Sequence, residues 1–362
     1  MSWNPLRCGG TALPVPVLLM AKLIALCLLL TNHVRLLPDP FLPFIPGLDH
    51  LGSPLVFQRA LQGLFVVSAL ALLFNRSVRL SCLVLGGAML MGVLASKIYY
   101  GNNKTFCGLM LVLAGLHTRG SRPWLLRCQV ALVYFGAGLN KLLDADWQSG
   151  LFFEYWATAR VKNGLYIAAA RALPPLLLAK AMCWTTIAVE LLLSAGLLIR
   201  RLGPGAIYLS LLFQSALLLF TGSTFTMFFY SMQAAMLVFV QWPRARWPVI
   251  YDGEGRLSRA LKTGFERLDL ERVFDWRSYR SGAGVRFGLR EEDVRRRVYV
   301  VREGKLIAGV EAWRLILLYN PVTYLVMAAA LAAPPGEAAL YRRALVSVLL
   351  AAELAARWWR PR

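Results

Sequence analysis

Residues 129–155 read QVALVYFGAGLNKLLDADWQSGLFFEY, and this stretch decides how the whole chain is interpreted. Its first half is apolar enough to enter a bilayer, and Gly136 and Gly138 provide small surfaces that let membrane helices approach closely. Its second half gathers charged, polar and amphipathic side chains. They are Asn140, Lys141, Asp144, Asp146, Trp147 and Glu154. The stretch therefore predicts a membrane helix that ends at a polar site.

Lys141 has two interpretations. The commoner role of a lysine at the end of a membrane helix is to extend its stem so that the ammonium reaches the lipid headgroups. Here, however, Asp144, Asp146 and Trp147 follow Lys141 within six residues. Two carboxylates and a tryptophan so close to a lysine favour a functional pocket over a single anchor.

The string LVYFGAGLNKLLDADWQSG resembles a motif of the vitamin K-dependent gamma-carboxylases and of the wider HTTM (horizontally transferred transmembrane) family. Together with weaker similarity outside this motif, the resemblance covers residues 15–243. It implies that Lys141 is the catalytic base that deprotonates a reduced quinone. The residues themselves leave the cofactor open, and the resemblance implies a reduced, vitamin K-like quinone.

Other segments follow the family less closely. Asn102, Asn103 and Lys104 resemble an Asn-Asn-His element of the carboxylase active site, with Lys104 in place of the histidine. We expect Asn103 and Lys104 to line the pocket of Lys141 together with Trp147, with the amines of Lys104 and Lys141 converging. An Asn-Asn pair is also ordinary turn chemistry. A histidine and an asparagine of the carboxylases align with Phe213 and Ala216. The large lumenal carboxyl-terminal domain of the carboxylases has no counterpart here, so glutamate carboxylation itself is not expected.

The composition indicates a membrane protein. Of the 362 residues, 58% are apolar, whereas soluble domains have about 45–50%. Windows of about 20 apolar residues, enough for a spanning helix, predict an all-α polytopic bundle followed by a small α/β domain. The eight predicted spans are 13–36, 55–74, 79–98, 105–117, 123–143, 177–199, 204–221 and 225–242.

The charge pattern predicts the orientation. Arginine pairs follow every second predicted span, at residues 76 and 79, 119 and 122, 200 and 201, and 244 and 246. Because positive loops stay in the cytoplasm, we expect both termini there, in a bacterial inner membrane. Lys141 and the connection 144–175 then face outward. Arg160, Lys162 and Arg171 in that connection are exceptions to the rule.

The net charge of +21 has the same explanation. Lysine and arginine collect in cytoplasmic loops and beside anionic lipid, and no nucleic-acid-binding motif is visible. We therefore expect membrane lipid as a partner and no nucleic acid. The six cysteines form no CxxC pair, so neither a metal site nor an obligatory disulfide is predicted.

Two charges, Lys22 and Glu190, fall inside predicted spans. A charge in hydrocarbon is costly and usually faces the bundle interior with a partner. We expect both side chains to be buried and close to one another. Either a proton or ligand relay or a structural ion pair would explain them, and the structural pair is the commoner case.

The composition changes at the boundary between the predicted domains 1–243 and 244–362. Strands at 249–251 and 270–276, a helix at 257–265 and a hairpin around 302–305 predict a small α/β domain. The segment YDGEGRLS resembles the opening motif of the thioredoxin-like DCC family, with Gly255 and Ser258 at the two cysteine positions. Because thiol–disulfide exchange needs a thiolate, this domain is expected to be redox-inactive. Apolar helices at 313–333 and 337–359 are expected to lie on the membrane.

Three functions compete on this basis. The first is an enzyme that uses Lys141 on a quinone or lipid-like substrate at the outer membrane face. The second is a non-catalytic scaffold or assembly factor whose cytoplasmic domain docks a protein partner. The third is a transporter, which is ranked last because no inverted repeat is apparent. The intact order of lysine, aspartates and tryptophan favours the enzyme.

Overall fold

A computed structural model describes residues 5–38, 52–118, 120–221, 226–243, 245–253, 256–282 and 284–320. The chain divides into two compact units. One is Gly10–Val240, and the other combines Met1–Gly9 with Gln241–Arg362. Gly255 and the predicted helix at 337–359 lie outside the described residues, as does the part of the 313–333 helix beyond Asn320.

The first unit is helical, and a helix lies at each of the eight predicted positions. Among the described residues, three helices are long and apolar enough to cross a membrane, namely Pro54–Leu73, Val78–Ala95 and Leu177–Gly196. The long helices are α1 (Val15–Leu30), α3 (Pro54–Leu73), α4 (Val78–Ala95), α5 (Asn102–Leu116), α6 (Trp124–Leu143), α10 (Leu177–Gly196), α11 (Gly203–Thr221) and α12 (Thr226–Ala235).

The first predicted span is interrupted. Asn32 adopts a left-handed conformation with φ of 59°, and it separates α1 from the short helix α2 (His33–Leu36). Asparagine tolerates this conformation better than most residues. The last predicted span also changes form, because α12 passes into a 3-10 turn, Met236–Phe239, before the unit ends.

The predicted outer connection is folded into short helices. They are α7 (Ala145–Ser149), α8 (Leu151–Tyr155), a π-helical turn (Trp156–Arg160) and α9 (Gly164–Arg171). Gly150 separates α7 from α8 with φ of 88°, a conformation that glycine adopts without steric cost. We call residues 144–173 the outer cap.

Glycines allow a close backbone contact between α4 and α5. A Cβ atom on Gly86 would lie 2.7 Å from the carbonyl oxygen of Gly108. One on Gly115 would lie 2.7 Å from the carbonyl oxygen of Arg79, whose Nε donates to the Gly115 carbonyl at 3.0 Å. Backbone thus meets backbone, as expected for small residues between membrane helices.

The second unit contains a four-stranded sheet in the order β2-β1-β3-β4. Strands β1 and β2 are parallel, and β3 pairs antiparallel with both β1 and β4. The elements are β1 (Trp247–Tyr251), α13 (Arg256–Leu268), β2 (Phe274–Ser278), α14 (Glu291–Arg296), β3 (Tyr299–Arg302), β4 (Lys305–Ala308) and α15 (Val310–Leu318).

The types of these elements agree with the sequence pattern, whereas several boundaries differ, most of all the start of β2. Strand β2 begins at Phe274 and not at residue 270, because the Asp269 carboxylate accepts from the backbone N–H groups of Val273 and Phe274, both at 2.8 Å. The turn that results consumes the first residues of the predicted strand. On the sheet, Trp276 packs against Phe265 and Trp313, which also contact each other.

The glycine contact between α4 and α5 yields a stability prediction. We expect Gly86→Ala to destabilise the protein by about 1–3 kcal/mol, the usual cost of overpacking, because backbone atoms cannot move aside. Thermal unfolding in detergent measures the effect.

Gly87→Ala is the matched control, since nothing lies within 4 Å of a Cβ at Gly87. Alanine is there expected to be neutral or stabilising, because it favours helix over glycine. Equal losses in the two variants would contradict the close backbone contact.

Candidate functional site

Lys141 forms an ion pair with Glu190. The Lys141 Nζ atom lies 2.7 Å from Glu190 Oε2 and 2.8 Å from Oε1, so one ammonium donates to both carboxylate oxygens. The side chains are 19% and 9% exposed, respectively. Lys141 lies in the last turn of α6 and Glu190 in the second half of α10. The pair is therefore a largely dehydrated charged centre.

Gly138 brings the two helices together. A Cβ at Gly138 would lie 3.0 Å from the Leu191 side chain and 3.3 Å from Glu190 Cβ. Because residues three apart on a helix share a face, Gly138 places Glu190 beneath the Lys141 stem. Gly136, the other glycine of the stretch, has nothing within 4 Å of its Cβ position.

Trp147 completes the site. Lys141 Nζ lies 5.1 Å from the centre of a Trp147 ring, within the range of a cation–π interaction. The same tryptophan stacks on Phe152 with ring centres 4.5 Å apart. The indole therefore covers the ammonium from the side of the outer cap.

The other predicted members of the site lie elsewhere. The Asp144 carboxylate caps α7 by accepting from the backbone N–H groups of Asp146 and Trp147. The side chains of Asp146 and Asn140 are exposed. The carboxylate on Lys141 is thus supplied by a distant part of the chain, and the two nearby aspartates serve the turn and the surface.

The prediction that Lys22 and Glu190 lie close together is wrong, because each of them has a different partner. Both residues are buried, as expected, with Lys22 0% exposed. Lys22 Nζ, however, donates to the carbonyl oxygen of Leu73 at 3.0 Å. Leu73 is the last residue of α3, where carbonyl groups lack helical partners and the dipole is negative. A helix end therefore accepts from Lys22, and Glu190 pairs with Lys141.

Asn103 and Lys104 lie in the first turn of α5, not in a turn before it. Lys104 Nζ donates to the Tyr99 carbonyl at 2.5 Å and lies 3.9 Å from the centre of the Tyr99 ring. Asn103 contacts Met227 Sδ at 3.4 Å. The expected convergence of Lys104 with Lys141 is not found, because Tyr99 holds Lys104 and Glu190 holds Lys141.

His33 was missed by sequence reasoning. It is buried, and its Nδ1 lies 2.7 Å from the Thr31 hydroxyl, which is also 2.6 Å from the Cys27 carbonyl. The single hydroxyl proton goes to that carbonyl, so Thr31 accepts from Nδ1. A neutral imidazole that donates from Nδ1 carries its lone pair on Nε2.

A second group of missed residues lies inside the bundle. The Tyr134 hydroxyl is 2.7 Å from Ser210 Oγ and accepts from Gln214 Nε2 at 3.1 Å. All three side chains are buried. Tyr134 shares a face of α6 with Lys141, two turns away. Gln214, a lone amide in a predicted span, was the available signal, whereas the family alignment had directed attention to Phe213 and Ala216.

Glu154, the last charged residue of the opening stretch, belongs to the outer cap. Its carboxylate accepts a hydrogen bond from the Tyr166 hydroxyl. Tyr166 and Phe153 pack with Ala179 and Cys183 of α10 in one buried cluster. This carboxylate therefore ties α8 to α9 and does not reach Lys141.

The corrected ion pair yields a prediction. Glu190→Gln leaves the Lys141 ammonium without its counter-ion, so we expect it to destabilise the protein by about 3–5 kcal/mol. The double variant Lys141→Met/Glu190→Leu should recover much of the loss, because replacing both partners of a buried pair can be neutral. Thermal unfolding in detergent measures each variant.

Lys22→Met/Glu190→Leu is the control. Since Lys22 donates to α3, its loss should add to that of Glu190. Recovery in this second double variant, without recovery in the first, would contradict the assigned pairing.

Comparison with known proteins bears on this site directly. The family model of the HTTM domain matches residues 120–243, a segment that contains Lys141, Trp147 and Glu190. No curated protein and no solved structure matches the chain. Together with the three apolar helices that are long enough to cross a bilayer, the match is consistent with a membrane protein. Residues 120–243 are thus similar to the HTTM domain.

Proposed function

We propose that this protein is a membrane enzyme in which Lys141 and Glu190 act together as an acid–base pair on a quinone or lipid-like substrate. The observation that carries the proposal is the contact of one lysine ammonium with both oxygens of a buried carboxylate, within the segment that matches the HTTM domain. The match favours an activity related to that of the gamma-carboxylases. Glutamate carboxylation itself is not part of this proposal.

Glu190 provides an acceptor for the proton that Lys141 must lose. A lysine must lose its proton before it can act as a base, and Glu190 lies at hydrogen-bond distance to take it. Transfer of that proton turns the ammonium and carboxylate into a neutral amine and a carboxylic acid. In a dehydrated site this neutral form avoids the cost of two buried charges.

The chemical step then follows from the amine. The lone pair of Lys141 Nζ accepts a proton from a substrate hydroxyl, the substrate becomes an oxyanion, and the lysine becomes an ammonium again. This ammonium lies next to the new negative charge and stabilises it. Trp147 limits access of water from the cap side, which strengthens the electrostatic interaction.

A vitamin K-like reduced quinone fits this scheme, since its hydroxyl groups are acidic and its body is apolar. The group would lie against Lys141 and Trp147, and it would supply the reducing equivalents when bound. The chain supplies the base, the counter-ion and an apolar surrounding. The placement in a bacterial inner membrane, with cytoplasmic termini and Lys141 toward the outside, belongs to the same proposal.

The alternative function is a membrane scaffold in which the ion pair only joins α6 to α10. The pair has the burial and the geometry of a structural contact, and structural pairs are common inside membrane bundles. The two functions differ in one requirement. A structural contact needs a permanent positive charge at residue 141, whereas a base needs a group that can lose its proton.

Lys141→Arg separates these functions. Arginine keeps the charge and can donate two hydrogen bonds to Glu190, but it does not deprotonate in proteins. We expect the variant to keep the thermal stability of the wild type and to lose about 10²–10⁴-fold in activity, the usual contribution of an acid–base group. Complementation of a deletion strain, with unfolding in detergent, measures both.

Full complementation by Lys141→Arg would refute the enzyme and leave the scaffold. Asp146→Asn is the matched control, because Asp146 is exposed and does not touch the pair. It should complement fully and unfold at the wild-type temperature.

We further propose that the second unit is a thioredoxin-like, DCC-related module that docks a protein partner without redox chemistry. The parallel β1-α13-β2 unit, followed by the β3–β4 hairpin and a helix, supports this fold. Gly255 and Ser258 replace the cysteines of the motif, so no thiolate is available for exchange.

Because the motif has lost both cysteines, we expect the full chain to reduce insulin no faster than the background rate. A Gly255→Cys/Ser258→Cys variant is the positive comparison, because it restores the two thiols of the motif. Turnover by the wild-type chain would contradict the proposed loss of activity.

A further inference from the structure

The outer cap packs along the first half of α10. A Cβ at Gly150 would lie 2.7 Å from the backbone nitrogen of Lys180, which places the start of α8 beside the first turn of α10. Phe153 and Tyr166 pack on Ala179 and Cys183. The cap therefore lies level with residues 179–183 of α10.

The contacts of α11 with the cap independently place the cap beside the end of an apolar helix. Phe220, next to the last residue of α11, packs on Phe153 and Trp156 of the cap with ring centres 5.4 and 5.7 Å apart. Asn163 Nδ2 donates to the Phe220 carbonyl at 3.1 Å. The cap is thus fastened to the ends of two apolar helices at once.

The length of α10 determines where the cap lies relative to the bilayer. Leu177–Gly196 has 20 residues and is one of the candidate membrane spans. At 1.5 Å per residue it covers about 30 Å, one hydrocarbon thickness. Without the part beside the cap, residues 184–196 would cover about 20 Å, two thirds of that thickness. If α10 crosses the bilayer, the residues beside the cap lie inside it.

The surface of the cap agrees with that depth. Leu165 is 86% exposed and Tyr155 is 68% exposed, with Leu151 and Phe152 also exposed. Large apolar side chains are costly to present to water in such a group. Helix α10 also exposes large apolar side chains, among them Leu177, Trp184 and Leu192.

We infer that the outer cap is a membrane-embedded element whose exposed apolar side chains contact the lipid of the outer leaflet, level with the first turns of α10. The cap enters and leaves the bilayer on one side. Its backbone is mostly helical or turns within a packed cluster, which meets the requirement that polar groups be satisfied in lipid.

The inference also accounts for the cations that break the charge rule. Arg160, Lys162, Arg171 and Lys180 are exposed, and long basic side chains beside embedded segments extend to the headgroup phosphates. These four residues are then anchors at the lipid surface and carry no orientation signal.

Spin labels test the depth of the cap. The full chain, in a cysteine-free background and in lipid nanodiscs, is labelled at Tyr155→Cys or Leu165→Cys. Leu192→Cys, exposed in the carboxyl-terminal half of α10, is the lipid reference, and Glu303→Cys, exposed in the β3–β4 turn, is the water reference. Frequent collisions of the spin label with oxygen indicate that the label lies in lipid. Frequent collisions with a nickel chelate indicate that it lies in water.

We expect the labels at 155 and 165 to collide more with oxygen than with nickel, as the label at 192 does. Nickel-dominated collisions at either position, as at 303, overturn the inference. So does a nickel-dominated label at 192, because α10 would then not cross the bilayer. Leu151→Cys and Phe152→Cys provide the same measurement if a first variant fails to fold. None of these outcomes depends on catalytic activity.

Discussion

The ion pair between Lys141 and Glu190 is the interaction on which the arrangement of α6, α7 and α10 depends. A lone carboxylate in an apolar helix costs about 2.5–3.5 kcal/mol when it enters the bilayer, so α10 needs a cation beside it. Lys141 supplies that cation, and Gly138 lets the helices come close enough for direct contact. The pair lies beside Trp147, and Gly150 places the start of α8 against the first turn of α10.

The same principle recurs in the rest of the helical unit, where several buried polar groups bond to helix ends or to other helices. Lys22 donates to the last carbonyl of α3. Tyr134 joins Ser210 and Gln214 across the bundle. Each contact removes the cost of an unpaired polar group in an apolar interior. They also fix which helices are neighbours, since apolar contacts alone are not directional.

The proposed chemistry and the proposed membrane depth of the cap support each other physically without depending on each other. A base that works through internal proton transfer needs a dehydrated site, because water would stabilise the ion pair and keep the amine protonated. An embedded cap would keep water away from Lys141 on its outer side. An apolar substrate would in turn reach such a site from the bilayer.

The sequence by itself determined the helical segments, the order of elements in the second unit, and the importance of residues 129–155. These are local properties, set by apolar periodicity, turn residues and one motif. The burial of Lys22 and Glu190 was also predictable, since the cost of a charge in hydrocarbon does not depend on its partner.

The tertiary structure decided the partners. Glu190 is 49 residues from Lys141 along the chain, and nothing in the local pattern distinguishes Lys141 from Lys22 as its counter-ion. The choice rests on the approach of α6 and α10 at Gly138, whereas Gly136, two residues away, makes no such contact. Asp144 was nearer in sequence but is held by the backbone of its own turn. A short side chain next to a helix end bonds locally first, so the distant carboxylate pairs with the lysine.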